Sequence, residues 1–329
     1  MTGWEKLKED LMGSNEVIQN AIKKCGASFE KGKEEKLTKK EIAKILATEL
    51  FEITNGTGQK LVEVRDYDAM KKKGPFKYSG QVDTLHAEGL LPHDLFEQFQ
   101  ELGLGRHSGP SYLRVKGLIT DDETRDVLGK QMAYLLKDYF KEKPPSKEGY
   151  VLLVPNMTGG AWIGIKTKEQ SKGVLPPEVK LWRTTPYARE TRKTIDVIPQ
   201  EAKIVDYIEG VLPSPDETSA IVSFEELRTT AETTKNAINI FRGFEYIDPE
   251  FIASCVFDYR HPAGTERLKR MHVSELYLVG GADFFEATRE LGYISESQYK
   301  TTVDWLSDWH GFSREMMPIL KERKLRGEL

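Results

Sequence analysis

Hydrophobic positions along the chain follow two different periods. Ile42, Ile45, Leu46 and Leu50 recur at helical steps, and Thr38-Lys39-Lys40-Glu41 before them has capping-box spacing. Asn55-Gly56-Thr57-Gly58 carries turn chemistry that closes this segment. From His93 a second helix is predicted, with Leu95, Phe96, Phe99 and Leu102 on one face and a stop at Gly103-Leu104-Gly105. A third spans residues 123–140, striped by Val127, Leu128, Met132, Leu135 and Leu136. The pattern then shortens. Residues 150–154 are an apolar run of strand length, and 179–182, 202–208, 219–224 and 251–257 read the same way, with a helix over 230–241. Residues 61–64 read as a short strand and 71–75 as an exposed turn. From about His272 the chain returns to helices over 284–291, 295–309 and 313–324, where Trp305, Trp309 and Phe312 read as helix packing.

Strands alternating with helices predict an α/β fold, a mostly parallel central sheet flanked by helices on both sides. The organisation expected is an α/β domain over 59–270 between helical extensions at 1–58 and 271–329. The first extension reads as packing on the larger domain or on a partner. Its Lys-rich stretch 31–40 is interleaved with Glu34 and Glu35, so a solvated face explains it as well as a nucleic-acid surface does.

Composition narrows the class. The 329 residues carry 48 Lys+Arg against 52 Asp+Glu, a net charge of -4, and 39% are hydrophobic, enough for a real core. The near-neutral balance removes the simplest case for a nucleic-acid partner, a strong basic excess. Two cysteines, Cys25 and Cys255, are too few for a disulfide scaffold or a thiolate zinc site and suit a reducing compartment. The first residues include Glu5 and lack an apolar core, so they do not read as a signal peptide. No apolar run approaches the roughly 20 residues that span a bilayer. The expectation is a soluble, cytoplasmic protein without a membrane partner. Six scattered histidines show no metal-ligand spacing, and no Walker A run or G-x-S-x-G elbow occurs.

The most informative chemistry lies in Ile221-Val222-Ser223-Phe224-Glu225-Glu226-Leu227-Arg228-Thr229-Thr230-Ala231-Glu232-Thr233-Thr234. An apolar strand runs into two adjacent carboxylates, a hydroxyl-rich turn and a helix start. Parallel sheets bind ligands at the carboxyl ends of their strands, and a helix N-terminus suits a phosphate. The carboxylates fit the hydroxyls of an attached sugar, or a Mg²⁺ bridging it. Thr229 to Glu232 also has capping-box spacing, so a plain cap explains the turn but not the costly acidic pair. Thr158-Gly159-Gly160 follows the strand at 150–154, where small residues let backbone N–H groups close on an anion. Residues 182–193 hold Arg183, Arg189, Arg192 and Lys193, which suit a mobile loop over a diphosphate or a solvated loop.

The acidic pair with its Thr-rich loop resembles the PRPP-binding signature of the type I phosphoribosyltransferases (PRPP is 5-phosphoribosyl 1-diphosphate). Glu225 and Glu226 match the acids, and Thr229, Thr230 and Thr233 match the loop, while Ala231 stands where that family usually has Gly. Within the family the segment order is most like orotate phosphoribosyltransferase: His107-Ser108-Gly109-Pro110-Ser111-Tyr112 resembles its N-terminal segment, and 150–161 its strand and diphosphate loop. The resemblance covers roughly residues 88–265. It implies phosphoribosyl transfer to a nitrogenous base, an orotate-like pyrimidine first, with Mg²⁺ as cofactor and a homodimer as the assembly. It assigns the 5′-phosphate to the stretch from Thr229 through Ala231 and Glu232 to Thr233, and the ribose and Mg²⁺ to Glu225 and Glu226. Diphosphate falls to Thr158, Gly159 and Gly160. Arg183 matches a loop Arg of those enzymes, but Thr184 and Tyr187 stand where their lysines would be. Arg260, in Asp258-Tyr259-Arg260, is the candidate for a base carboxylate, or it pairs with Asp258 or Asp248. The alternative is a non-catalytic PRPP- or nucleotide-binding regulator on the same fold.

Overall fold

The computed structural model describes residues 25–57, 61–115, 122–156, 160–188 and 201–328. Helix α1 (Lys39–Thr57) begins at the expected capping box: Thr38 N–H donates to Glu41 Oε2 at 2.8 Å and Glu41 N–H donates to Thr38 Oγ1 at 3.2 Å. It continues through Asn55-Gly56, where the turn was expected. The burial of Ile42, Ile45, Leu46 and Leu50 against the core outweighs the weak local propensity.

Two antiparallel ribbons follow, β1 (Val62–Val64) with β4 (Ser111–Leu113) and β2 (Phe76–Gln81) with β3 (Arg106–Gly109). Between them lie α2 (Tyr67–Lys73), α3 (Val82–Ala87) and α4 (His93–Glu101). Helix α2 occupies most of the segment expected as an exposed turn. Asp66 caps it by accepting from Ala69 N–H at 2.8 Å, and Gly74, at φ 77°, ends it.

Helix α5 (Asp122–Glu142) leads into the central sheet, built from β5 (Tyr150–Pro155), then α6 (Gly160–Gln170), β6 (Lys180–Leu181) and the small antiparallel pair β7 (Tyr187–Ala188) and β8 (Ile208–Glu209). It continues through β9 (Thr218–Arg228), α7 (Glu232–Gly243), β10 (Glu250–Asp258), α8 (Pro262–Arg270) and β11 (Ser274–Gly280). The chain ends in α9 (Gly281–Glu290), α10 (Glu296–Ser307) and α11 (Trp309–Leu325), where Trp305, Trp309 and Phe312 are buried as expected. The centre of the 202–208 segment, Ile204–Asp206, is a 3₁₀ turn, and only Ile208 enters a strand. Lys203 N–H donates to the Asp206 carboxylate at 2.9 Å, a local bond that competes with strand pairing.

The five sheet strands lie in the order β11-β10-β9-β5-β6, all parallel, so the expected α/β architecture holds. The edge strand β11 comes from residues assigned to the C-terminal helical section; Leu276 and Leu278 alternate with less buried Glu275 and Tyr277. One sheet face packs Leu152, Val154, Ile221 and Ala253 under Ala237, Ile238 and Phe241 of α7. The other packs Val151, Leu153, Val222 and Phe224 into the larger core with α1, α5 and α6. Among the described residues no helix is long and apolar enough to cross a membrane.

This order places a switch point between β5 and β9. From β5 the chain passes through α6 to β6 on one side; from β9 it passes through α7 to β10 on the other. The two connections diverge and leave a crevice at the carboxyl ends of β5 and β9, where open α/β sheets bind ligands.

Candidate active site

The acidic pair lies at that crevice, inside the last turnless stretch of β9. Successive strand side chains point to opposite faces, so the two carboxylates separate. Glu225 shares its face with Ser223, beneath α7, and is 8% exposed; Glu226 is half-buried on the α6 side. Asn156, the residue after β5, holds Glu225: its Nδ2 donates to Glu225 Oε1 at 2.7 Å and to Ser223 Oγ at 3.3 Å. Asn156 is 1% exposed, and its Oδ1 is buried with no partner. Burial, with the charge of Glu226 second, pushes the Glu225 carboxyl up to about 8, against the lowering effect of the bonds from Asn156 and Thr234.

Beyond β9 the chain turns through Thr229 and Thr230 to Ala231, which adopts left-handed φ 56°, ψ 24° and caps α7. The methyl sits in a conformation that ordinarily selects Gly. Its surroundings enforce the turn. Gly264, in the first turn of α8, lies so close that an added Cβ would be 2.3 Å from Thr229 O. Glu232 opens α7 and accepts from Gln81 N–H at 3.4 Å, across from the N-terminal ribbons. Thr229 and Thr234 are buried and Thr233 is partly exposed.

Just before this turn, Arg228 is buried in the core. It donates from Nε to Asp258 Oδ2 at 3.2 Å, from Nη1 to Ala253 O at 3.1 Å and from Nη2 to Glu275 Oε2 at 3.1 Å. Arg260 completes the cluster. It has φ 57°, donates its N–H to Asp258 Oδ1 at 2.8 Å and pairs through Nη1 with Glu275 Oε2 at 2.8 Å. The pairing with Asp258 foreseen as an alternative for Arg260 is therefore present, at 3.6 Å, beside a closer one with Glu275.

The turn after β5 brings Gly160 against β9, where an added Cβ would lie 1.9 Å from Phe224 O. Gly160 N–H donates to Asn156 O at 3.1 Å, so the turn, Asn156 and Glu225 form one unit. Gly160→Ala is expected to cost about 1–3 kcal/mol, because backbone atoms of a central strand cannot yield as a side chain does. Urea unfolding of the variant checks this; an unchanged midpoint would show that the turn can shift. Thr158 and Gly159 lie outside the described residues.

The structure does not bring Arg183 to the crevice. It follows β6, whose Leu181 pairs with Val151 near the start of β5, and its guanidinium lies 5.2 Å from the Trp182 ring. Lys168 Nζ donates to its carbonyl at 2.7 Å. Ala188, further along, bridges directly to Asn156. Arg189, Arg192 and Lys193 come next in sequence and lie outside the described residues. Of the segment 107–115, Ser111 Oγ donates to Tyr259 Oη at 3.4 Å, which ties β4 to the end of β10.

Sequence reasoning did not single out Asn156, Arg228, Arg267 or Glu88. Asn156 carried a usable signal, a polar residue directly ending an apolar strand at a site-bearing loop. The others act through partners 25 to 179 positions away and had none.

The crevice presents one fixed carboxyl, one partly exposed carboxylate, a hydroxyl-rich helix start and a Gly turn. This set suits a ligand with hydroxyls between two anionic groups. Among the described residues there is no cluster of three or more His, Cys, Asp or Glu able to hold a metal. Of the acidic pair, half-buried Glu226 fits a Mg²⁺ that takes its other ligands from water and ligand oxygens, while Glu225 faces the opposite side of β9 and is held by Asn156.

No protein-family model matches the chain, and no curated protein is similar to it. Among solved structures it is similar to UMP synthase from Leishmania donovani, at 16% identity and TM-score 0.44, over 65% of this chain and 42% of that one. It thus spans less than half of that enzyme's length. It is similar to orotate phosphoribosyltransferase from Aeropyrum pernix at 19% identity and TM-score 0.38, over 65% of this chain and 99% of that one. A third similar structure is adenine phosphoribosyltransferase from Leishmania tarentolae, at 10% identity and TM-score 0.37, over 59% of this chain and 91% of that one.

Proposed function

We propose that this chain is a phosphoribosyltransferase that moves ribose 5-phosphate from PRPP to a nitrogenous base, an orotate-like pyrimidine first, and releases diphosphate. The observation that carries this is the meeting of three segments at one switch point: Glu225-Glu226, the loop leading into α7, and the Gly160 turn. PRPP has matching parts in matching order, with a phosphate at one end, ribose hydroxyls between and diphosphate at the other. The 5′-phosphate would accept hydrogen bonds from the helix start and its threonines. Glu225 and Glu226 would take the ribose hydroxyls, and the Gly160 turn would face the diphosphate.

As the base attacks C1 and diphosphate leaves, positive charge develops on the ribose. The Glu226 carboxylate, preorganised by the strand, would stabilise it, while Glu225, whose carboxyl is pushed up to about 8, is held on the opposite face by Asn156. No covalent intermediate with the protein is needed, since positioning supplies much of the rate. Mg²⁺, held at Glu226 with substrate oxygens, would supply charge neutralisation for the leaving group.

One observation favours a second reading, a non-catalytic PRPP-binding regulator: Arg183 lies away from the crevice. One experiment separates the two. PRPP binding is measured with and without Mg²⁺, and diphosphate release is followed with orotate, uracil, hypoxanthine, adenine and nicotinate. We expect binding strengthened by Mg²⁺, release with a pyrimidine, and loss of turnover in the Glu225→Gln/Glu226→Gln double variant. Binding without release from any base selects the regulator. No binding at millimolar PRPP ends both. In the same assay Arg260→Ala should impair carboxylated bases selectively, by removing a cation that can trade Glu275 for a substrate carboxylate.

A further inference from the structure

The loop from Thr229 to Thr234 has hydroxyls and backbone N–H groups but no Lys or Arg, and Glu225, Glu226 and Glu232 are its chain neighbours. A dianion there needs positive charge from another element. Arg267 of α8 is placed to give it. The residue is 3% exposed. Its Nη1 donates to Thr230 O, its Nε donates to Glu88 Oε2 at 2.6 Å, and its Nη2 is buried with no partner. Thr230 is 1% exposed, and its Oγ1 is likewise buried without a partner.

Gly264, one turn earlier in α8, is what allows this approach, since a side chain there would strike Thr229 O. Glu88, at the end of α3, does not neutralise the cation alone: Lys235 Nζ also pairs with it at 2.9 Å. Glu88 is thus shared between two cations, Arg267 and Lys235. A buried guanidinium nitrogen and a buried hydroxyl left unsatisfied are each costly, and both belong to residues joined by one hydrogen bond. A ligand oxygen would satisfy both.

We infer that Arg267 Nη2 and Thr230 Oγ1, with the N-terminus of α7, form the binding site for a phosphate monoester dianion. This rests on the phosphoribosyltransferase reading and deepens it: the positive partner of the 5′-phosphate comes from α8, not from the loop. Glu88 becomes a positioning residue. Through Arg267, and through Arg270 Nη1, which donates to Glu88 O at 2.6 Å, it ties the N-terminal ribbons to the phosphate loop.

The test uses the full chain, with inorganic phosphate, ribose 5-phosphate and diphosphate as probes in calorimetry. Arg267→Gln should weaken the first two by about ten- to a hundredfold, the effect of losing one charge-assisted hydrogen bond. Diphosphate should change less than about twofold, because it faces the Gly160 turn. Arg267→Lys should recover part of the loss. Should Arg267→Gln fold poorly, Thr230→Val removes only the orphaned hydroxyl. It should weaken phosphate binding while leaving the melting temperature unchanged or higher, which a purely structural Thr230 would not do. Phosphate binding that is undetectable at millimolar concentration in wild type, or equal in wild type and both variants, overturns the inference. Arg267-dependent phosphate binding without PRPP turnover leaves it standing while the enzymatic reading fails. PRPP turnover with unaltered phosphate affinity in the variants does the reverse.

Discussion

Glu225→Gln is expected to make this protein more stable at pH 8.5 and to leave it nearly unchanged at pH 5. Burial first, and Glu226 second, raise the Glu225 carboxyl from 4.5 to about 8. The folded protein therefore holds this proton more tightly than the unfolded chain does. Its contribution to stability is present in full below about pH 4.5 and is lost as pH rises through about 8. At roughly 1.4 kcal/mol for each pH unit separating the two values, the loss is on the order of 5 kcal/mol by pH 9. Gln cannot ionise, and its carbonyl oxygen can still accept from Asn156 Nδ2. Urea unfolding of both proteins at the two pH values reads the difference directly. Equal destabilisation of the variant at both would show that Glu225 is held as a carboxylate. The same substitution should impair the proposed turnover, a trade of stability against function common at reaction sites.

The second large effect belongs to Arg228. Replacing it with Met should cost about 3–5 kcal/mol, because the guanidinium is buried among Asp258, Glu275 and Ala253 O. Met fills much of the volume, but Asp258 keeps a buried charge whose nearest remaining cation is the Arg260 guanidinium at 3.6 Å, beside the backbone N–H of the same residue. The variant should also lose ligand affinity, since Arg228 anchors the strand end from which Thr229 and Thr230 depart. A drop of the urea midpoint that is reversed when Asp258 is replaced by Asn would identify the uncompensated charge as the cause. A midpoint within experimental error of wild type would mean that Arg260 moves in to replace it.

Local signals carried much of what was legible beforehand. Three of the four longest core strands, β5, β9 and β10, and most helices are written in the spacing of apolar residues, and the Thr38–Glu41 box capped its helix as read. The acidic pair, the Thr loop and the Gly turn could be found because each is a short, contiguous pattern tied to a strand end. The alternation in 274–280 was also present, but it sits between helices and is short, so its place in the sheet was not evident.

The tertiary structure alone decided the rest. Strand order depends on crossovers, and only that order turns the ends of β5 and β9 into one crevice. The partners of Glu225, Arg228, Arg260 and Arg267 lie on other strands and helices. Their hydrogen bonds cost desolvation that the folded arrangement must offset, and no local pattern records the match. Arg183 shows the same point from the other side. Its residue type fitted a ligand loop, but the pairing of β6 with the start of β5 holds it away from the crevice. By itself the sequence determined an α/β chain with an acidic strand end opening into a hydroxyl-rich helix start. Which side chains meet there was decided by long-range packing, because burial and charge pairing act through space.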